Sequence, residues 1–155
     1  MPEPYPRRQR FSDLIPLRNP FILASGPPGR HAEGMIQFGR TAGAVVGKSA
    51  TLHAQQGNPQ PRIARVGQWG MINWEDLPNP GYKVFAGMIA QAKQESPAPI
   101  IGSIGPLESV DEQLLIAHAF EDAGADALEL DFKWGAGFGD DLLSRLTSAV
   151  KQAVR

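Results

Sequence analysis

Short apolar runs alternate along this chain with longer stretches whose apolar residues recur at helical spacing. Pro20-Phe-Ile-Leu-Ala-Ser25, Gly43-Ala-Val-Val-Gly-Lys48, Pro99-Ile-Ile-Gly-Ser-Ile104 and Asp126-Ala-Leu-Glu-Leu-Asp-Phe132 are short, apolar and bounded by turn residues. Runs of that length with β-branched residues predict buried strands. Between and after them lie four amphipathic stretches. Residues 31–40 carry Met35, Ile36 and Phe38, and residues 82–96 carry Phe85, Met88, Ile89 and Ala92. A third helix opens at the capping-box sequence Ser109-Val-Asp-Glu112 and runs to about Ala123. The last spans 140–154, with Leu142, Leu146, Ala149, Val150 and Ala153 on one face. Residues 49–81 show no clear period, and an irregular segment of that length is often functional.

The order is therefore βαβαβαβα. Apolar strands alternating with amphipathic helices predict an α/β protein with a parallel sheet covered by helices. Periodicity leaves two architectures open, an open doubly wound sheet and part of a closed barrel. Both place ligands at the C-terminal ends of the strands. The polar residues there are Ser25, Lys48, Ser103 and Asp131.

Composition narrows the function. The chain has 155 residues and a formal net charge of −1. One domain is expected, and the charge offers no basic field for nucleic acid. The absence of cysteine excludes disulfides, thiolate metal sites and cysteine nucleophiles. The three histidines, His31, His53 and His118, show no ligand spacing, so no metal site is expected and solvated roles are. No apolar run reaches the ~18 residues of a membrane span. The N-terminal MPEPYPRRQRF lacks the apolar segment of a secretory signal, and Pro2, Pro4 and Pro6 mark residues 1–12 as a loose tail. A cytoplasmic location is the expectation. The remaining domain runs over 13–155.

Four local patterns then coincide in order. They are Asn19-Pro-Phe-Ile-Leu-Ala-Ser-Gly26, Gly43-Ala-Val-Val-Gly-Lys-Ser-Ala-Thr51, Gly57-Asn-Pro-Gln-Pro-Arg62 with Asn73 and Leu77-Pro-Asn-Pro-Gly81, and Ala123-Gly-Ala-Asp-Ala-Leu-Glu-Leu130. The ordered set resembles the dihydroorotate dehydrogenase family, including the related domain of dihydropyrimidine dehydrogenase, from about Asp13 to the end. The resemblance implies an FMN-binding (β/α)8 barrel, represented here by its first (βα)4 half, since a whole barrel needs about 250 residues. It implies a flavin oxidoreductase of pyrimidine metabolism acting on the CH–CH bond of a dihydropyrimidine. A side chain removes a proton from C5, and hydride passes from C6 to the flavin.

Site residues carried over by the resemblance are Ala24, Ser25, Gly26, Lys48 and Ser49 toward FMN, and Lys48, Asn73, Leu77 and Asn79 toward the pyrimidine. The Lys48 ammonium would stabilise negative charge on the reduced flavin; otherwise Lys48 is a surface lysine at a strand end. Ser25 and Gly26 otherwise form an ordinary strand exit, and Ser49 a turn. An amide donates and accepts, which suits a ring alternating carbonyl and N–H groups, although Asn79-Pro-Gly81 is also a good turn. Arg62 reads as a loop anchor, and Trp69, Trp74 and Trp134 as packing residues in loops.

Three departures bear on activity. Where the family has Asn-x-Ser-Cys-Pro-Asn or its serine variant, this chain has Asp131-Phe-Lys-Trp-Gly-Ala136, so Trp134 holds the base position. An indole accepts no proton, and no catalytic residue is assigned. The family's uncharged Met-Gly-Leu type run reads Glu75-Asp76-Leu77. Carboxylates there would repel an orotate carboxylate by about 1 kcal/mol per charge at 4 Å in water. The later strands that hold the flavin phosphate lie beyond this sequence. The enzyme is thus expected to be truncated or degenerate and inactive alone. The alternative is a non-catalytic half-barrel that forms a homo-oligomer or takes its second half from a partner. A nucleotide-binding domain is a third reading, from Gly135-Ala-Gly-Phe-Gly139 between a strand and a helix. Its spacing is not GxGxxG, and Asp140 and Asp141 follow where an anion would sit.

Overall fold

The four apolar runs pair side by side, and the two central ones bury both faces. The computed structural model describes residues 11–106, 109–132 and 140–154, without the side chains of 11, 12 and 140–142. After a short helix α1 (Phe11–Leu14) come β1 (Ile22–Leu23), α2 (Ala32–Gly39) and β2 (Ala44–Val46). An antiparallel pair, β3 (Ile63–Val66) and β4 (Gly70–Asn73), precedes α3 (Tyr82–Glu95). Then follow β5 (Ile100–Ile104), α4 (Val110–Asp122), β6 (Ala127–Leu130) and α5 (Asp140–Ala153).

The main sheet has the order β1-β2-β5-β6 and every pair is parallel. Register places Ile22 opposite Ala44, Val45 opposite Ile100, and Ile101 opposite Ala127. Each strand lies beside the one before it with no reversal of order. A doubly wound sheet needs that reversal and a barrel does not. The helices follow the same progression, α2 against α3, α3 against α4 and α4 against α5. The sheet is thus the (βα)4 half of a barrel, as the sequence reading expected.

Strand alternation sorts the residues into two faces. Val45 and Ile100 join Met35, Phe85, Ile89, Ile116 and Phe120 in the core between sheet and helices. Ala44, Val46 and Ile101 form a smaller cluster with Leu17 and Ala127 packed against it. Rings explain the glycines within β5 and just past β2. A Cβ on Gly102 would lie 2.6 Å from the Phe120 ring, and one on Gly47 would lie 2.8 Å from the Phe85 ring. The two rings meet each other at 6.0 Å, so two helices dock on bare backbone.

Several expectations need correction. The strands are shorter than the apolar runs. Segment 49–81 contains the β3–β4 hairpin, closed through Gly67 at φ 61°. All eight of its strand residues are exposed, so no alternation marks it. Phe38 is exposed where the helical pattern predicts burial, and Trp69, at the hairpin tip, is 96% exposed and packs on nothing. Ser109 does occupy the N-cap of α4, but its hydroxyl makes no capping bond. The expected packing of Met35, Ile36, Phe85, Ile89, Ala92, Leu146 and Val150 is observed. No helix among the described residues is long and apolar enough to cross a membrane.

Candidate functional site

Strand parity aims Ser103 on β5 and Glu129 on β6 to one side, and two residues past Glu129 the same parity falls on Asp131. The chain leaving β2 adds Lys48 and Ser49. Ser49 Oγ donates to Asp131 Oδ2 at 2.9 Å. Ser103 Oγ lies 2.9 Å from Ser49 Oγ and 2.8 Å from Glu129 Oε1. These side chains therefore meet at the C-terminal end of the sheet, where parallel α/β folds bind ligands.

Lys48 is buried beside them. Its backbone N–H donates to Gly29 O at 2.9 Å, which holds the loop after β1 against the end of β2. Burial pushes its ammonium below the ordinary 10.5; Glu75, Asp131 and Asp76 oppose that shift and Arg30 adds to it. Among the described residues the ammonium is in no hydrogen bond or direct ion pair. An ammonium without a fixed partner, on a side chain buried at a strand end, can donate to a ligand oxygen.

Asp76, Leu77, Pro106 and Asp131 line a cavity of about 180 Å³. The loop carrying Asp76 and Leu77 is fixed from both sides. Arg30 Nη2 donates to Glu75 Oε1 at 2.5 Å, and the Glu75 side chain is only 8% exposed. Asp76 has φ 60°, the conformation a glycine takes easily, and it stands where the family run carries glycine. The structure thus revises one inference from sequence. Glu75 is spent on Arg30, so of the two acidic loop residues only Asp76 lines the cavity.

The other candidates fall at different places. Ala24, Ser25 and Gly26 leave the end of β1 half-buried or exposed. A Cβ on Gly26 would meet nothing nearer than 3.9 Å, so the backbone there is open to approach. Asn79 is buried and its amide is engaged. It accepts from the Gly81 N–H at 2.9 Å and the Thr51 N–H at 3.2 Å, and donates to Leu77 O at 2.9 Å. Asn73 is exposed at the end of β4, and its Oδ1 accepts from the Glu75 N–H at 2.9 Å. Neither asparagine lines the cavity with Leu77. Arg62 anchors its loop as expected, donating to Asn58 O and Gln56 O. The histidines are exposed, and no cluster among the described residues holds a metal. Trp134 and the Gly135–Gly139 run lie outside the described residues.

Sequence reasoning missed Glu129 and Arg30 as site residues. Glu129 carried a signal, being acidic inside an apolar strand at the same parity as Asp131. Arg30 carried none, because its partner is 45 residues away.

A family model described as dihydroorotate dehydrogenase matches residues 13–132. The dihydroorotate dehydrogenase B (NAD(+)) catalytic subunit of Methanosarcina mazei is 34% identical, covering 90% of this chain and 47% of the relative. The Thermotoga maritima protein of the same description is 36% identical, over 70% of this chain and 38% of its own length. A putative dihydroorotate dehydrogenase A (fumarate) of Aeropyrum pernix is 32% identical, over 73% and 39%. The chain spans about half, or less, of the length of these relatives.

Proposed function

The chain belongs to the dihydroorotate dehydrogenase family, and from that premise we propose that it is the N-terminal half of an FMN-dependent oxidoreductase acting on the CH–CH bond of a dihydropyrimidine in pyrimidine metabolism. The observation that carries this reading is Lys48, a buried side chain at the C-terminal end of β2 whose ammonium has no hydrogen-bond partner among the described residues. The donor set fits a flavin. Its ring presents carbonyl oxygens and gains negative charge on reduction, and Lys48 with the Ser49 hydroxyl supplies a cation and a hydroxyl there. Ser25 and the open backbone of Gly26 would meet the ring edge. The chemistry a bound flavin supplies is acceptance of hydride from a ring C–H.

The residues of this chain hold and orient. Lys48 polarises a carbonyl and offsets negative charge, and more strongly for being partly desolvated. Leu77 gives the cavity an apolar wall. Asp76 and Asp131 disfavour an anionic ring substituent, so a neutral dihydropyrimidine suits the cavity better than a carboxylated one. Asn79 holds the loop around Leu77, and Asn73 the turn into Glu75.

Equilibration with FMN tests the reading: the full chain is expected to retain yellow flavin after desalting, and Lys48→Met to lose it. Failure of the wild-type chain to retain flavin or a pyrimidine would refute it. A second reading, a non-catalytic half-barrel assembled with another half, is favoured by β6. It is an edge strand of the described sheet, and Leu128 and Leu130 line an open cavity of about 360 Å³ beside it. Flavin bound only in a dimer or mixed complex, without turnover, would favour it.

A further inference from the structure

Glu129, Ser103, Ser49 and Asp131 are joined by three contacts of 2.8, 2.9 and 2.9 Å. The two hydroxyls bring two protons, and ionised carboxylates bring none. A proton arriving at either end of the row would complete the third contact. With that proton on Glu129, each hydroxyl donates toward Asp131; with it on Asp131, each donates toward Glu129. Turning two hydroxyls moves the acid proton from one end to the other while every heavy atom stays in place. Ser103 is fully buried and Ser49 is 2% exposed, so the link between them is shielded from water, while the two carboxyl ends are half-buried. Asp131 is the end that lines the cavity with Leu77, and the buried side chain of Lys48 lies at this end of the sheet too.

We propose that Asp131 is the proton-exchanging residue of this site, with Ser49, Ser103 and Glu129 as the positioning chain that passes its proton on toward Glu129. This rests on the reading of the cavity as a dihydropyrimidine site. Trp134 leaves the family's base position without a proton acceptor, and Asp131 supplies one three residues earlier. The step balances without an oxidant. A ring C–H bond next to a carbonyl breaks, its proton passes to the Asp131 carboxylate, and its electron pair stays on the ring as an enolate. Lys48 offsets the new charge. Return of a proton from Asp131 restores the ring.

The test needs no flavin. The full chain is incubated with 5,6-dihydrouracil in D2O, with binding followed by ligand-observed NMR and deuterium at C5 by mass spectrometry. The wild-type chain is expected to bind the ring and incorporate deuterium. Asp131→Asn keeps the shape and the hydrogen bond from Ser49, and is expected to bind the ring while losing exchange at least tenfold. Ser49→Ala keeps Asp131 and cuts the chain, giving a smaller loss. Glu129→Gln is expected to leave binding unchanged and alter the pH profile of exchange, which a merely structural role would not do. The charges around Lys48 that shape this profile are Glu75, Arg30, Asp131 and Asp76. Circular dichroism checks that each variant is folded. Equal ring binding with exchange no faster in wild type than in Asp131→Asn overturns the proposal and leaves the site reading standing. Absence of both flavin and ring binding in wild type overturns both.

Discussion

Replacing Arg30 with methionine tests the electrostatic tie between the loop after β1 and the loop carrying Asp76 and Leu77. Methionine keeps a flexible unbranched stem, ends short of the guanidinium position and removes the charge. Glu75, 8% exposed, then keeps a buried carboxylate with no cation on it. Breaking one side of a buried pair costs about 3–5 kcal/mol. Arg30 is 28% exposed, so water can enter where it leaves, and the expected loss is about 2–3 kcal/mol. For a chain of this size that is a fall in Tm of roughly 5–10 °C. The pair is also imperfect: Arg30 Nε and Glu75 Oε2 are buried without partners among the described residues. Its net worth against an uncharged replacement is therefore small, and Arg30→Met with Glu75→Gln should return to within about 1 kcal/mol of wild type. Urea unfolding of the four proteins followed by circular dichroism measures the cycle. If Arg30→Met alone stays within about 1 kcal/mol of wild type, Glu75 is not the buried, dependent charge described here.

Lys48→Met should raise stability near neutral pH, because a desolvated ammonium is replaced by an apolar side chain. Its folded pKa lies below 10.5, so wild-type stability gains from this group as pH rises through the interval up to 10.5; the variant should lack that rise in a pH series of melting curves. Gly102→Ala pushes a Cβ to 2.6 Å from the Phe120 ring and should cost about 1–3 kcal/mol by urea midpoint. Asn79→Ala strands the Thr51 and Gly81 N–H groups, for a loss of about 1–3 kcal/mol, and amide hydrogen exchange at those two positions should quicken.

The existence and order of the four parallel strands and their helices were legible in the chain. Hydrophobic spacing is local, and burial between sheet and helix imposes it on residues such as Val45, Ile100, Phe85 and Phe120. Lys48, Ser49 and Leu77 were also legible as candidates, through ordered motifs near strand ends. What local pattern does not encode is which distant groups meet. The order β1-β2-β5-β6, which separates a barrel half from a doubly wound sheet, is a property of strand pairing. The exposed β3–β4 hairpin buries neither face, so nothing forced its residues to alternate. The pairing of Arg30 with Glu75 moved one charge out of the account that sequence alone supports. Asn79 proved to be the hub of a buried turn, and Asp131 proved to accept directly from the Ser49 hydroxyl, with the hydroxyls of Ser49 and Ser103 between it and Glu129. Side-chain type fixed the chemistry available at each position; only the folded sheet, bringing the ends of β2, β5 and β6 together, decided which of those groups meet in one row of hydrogen bonds.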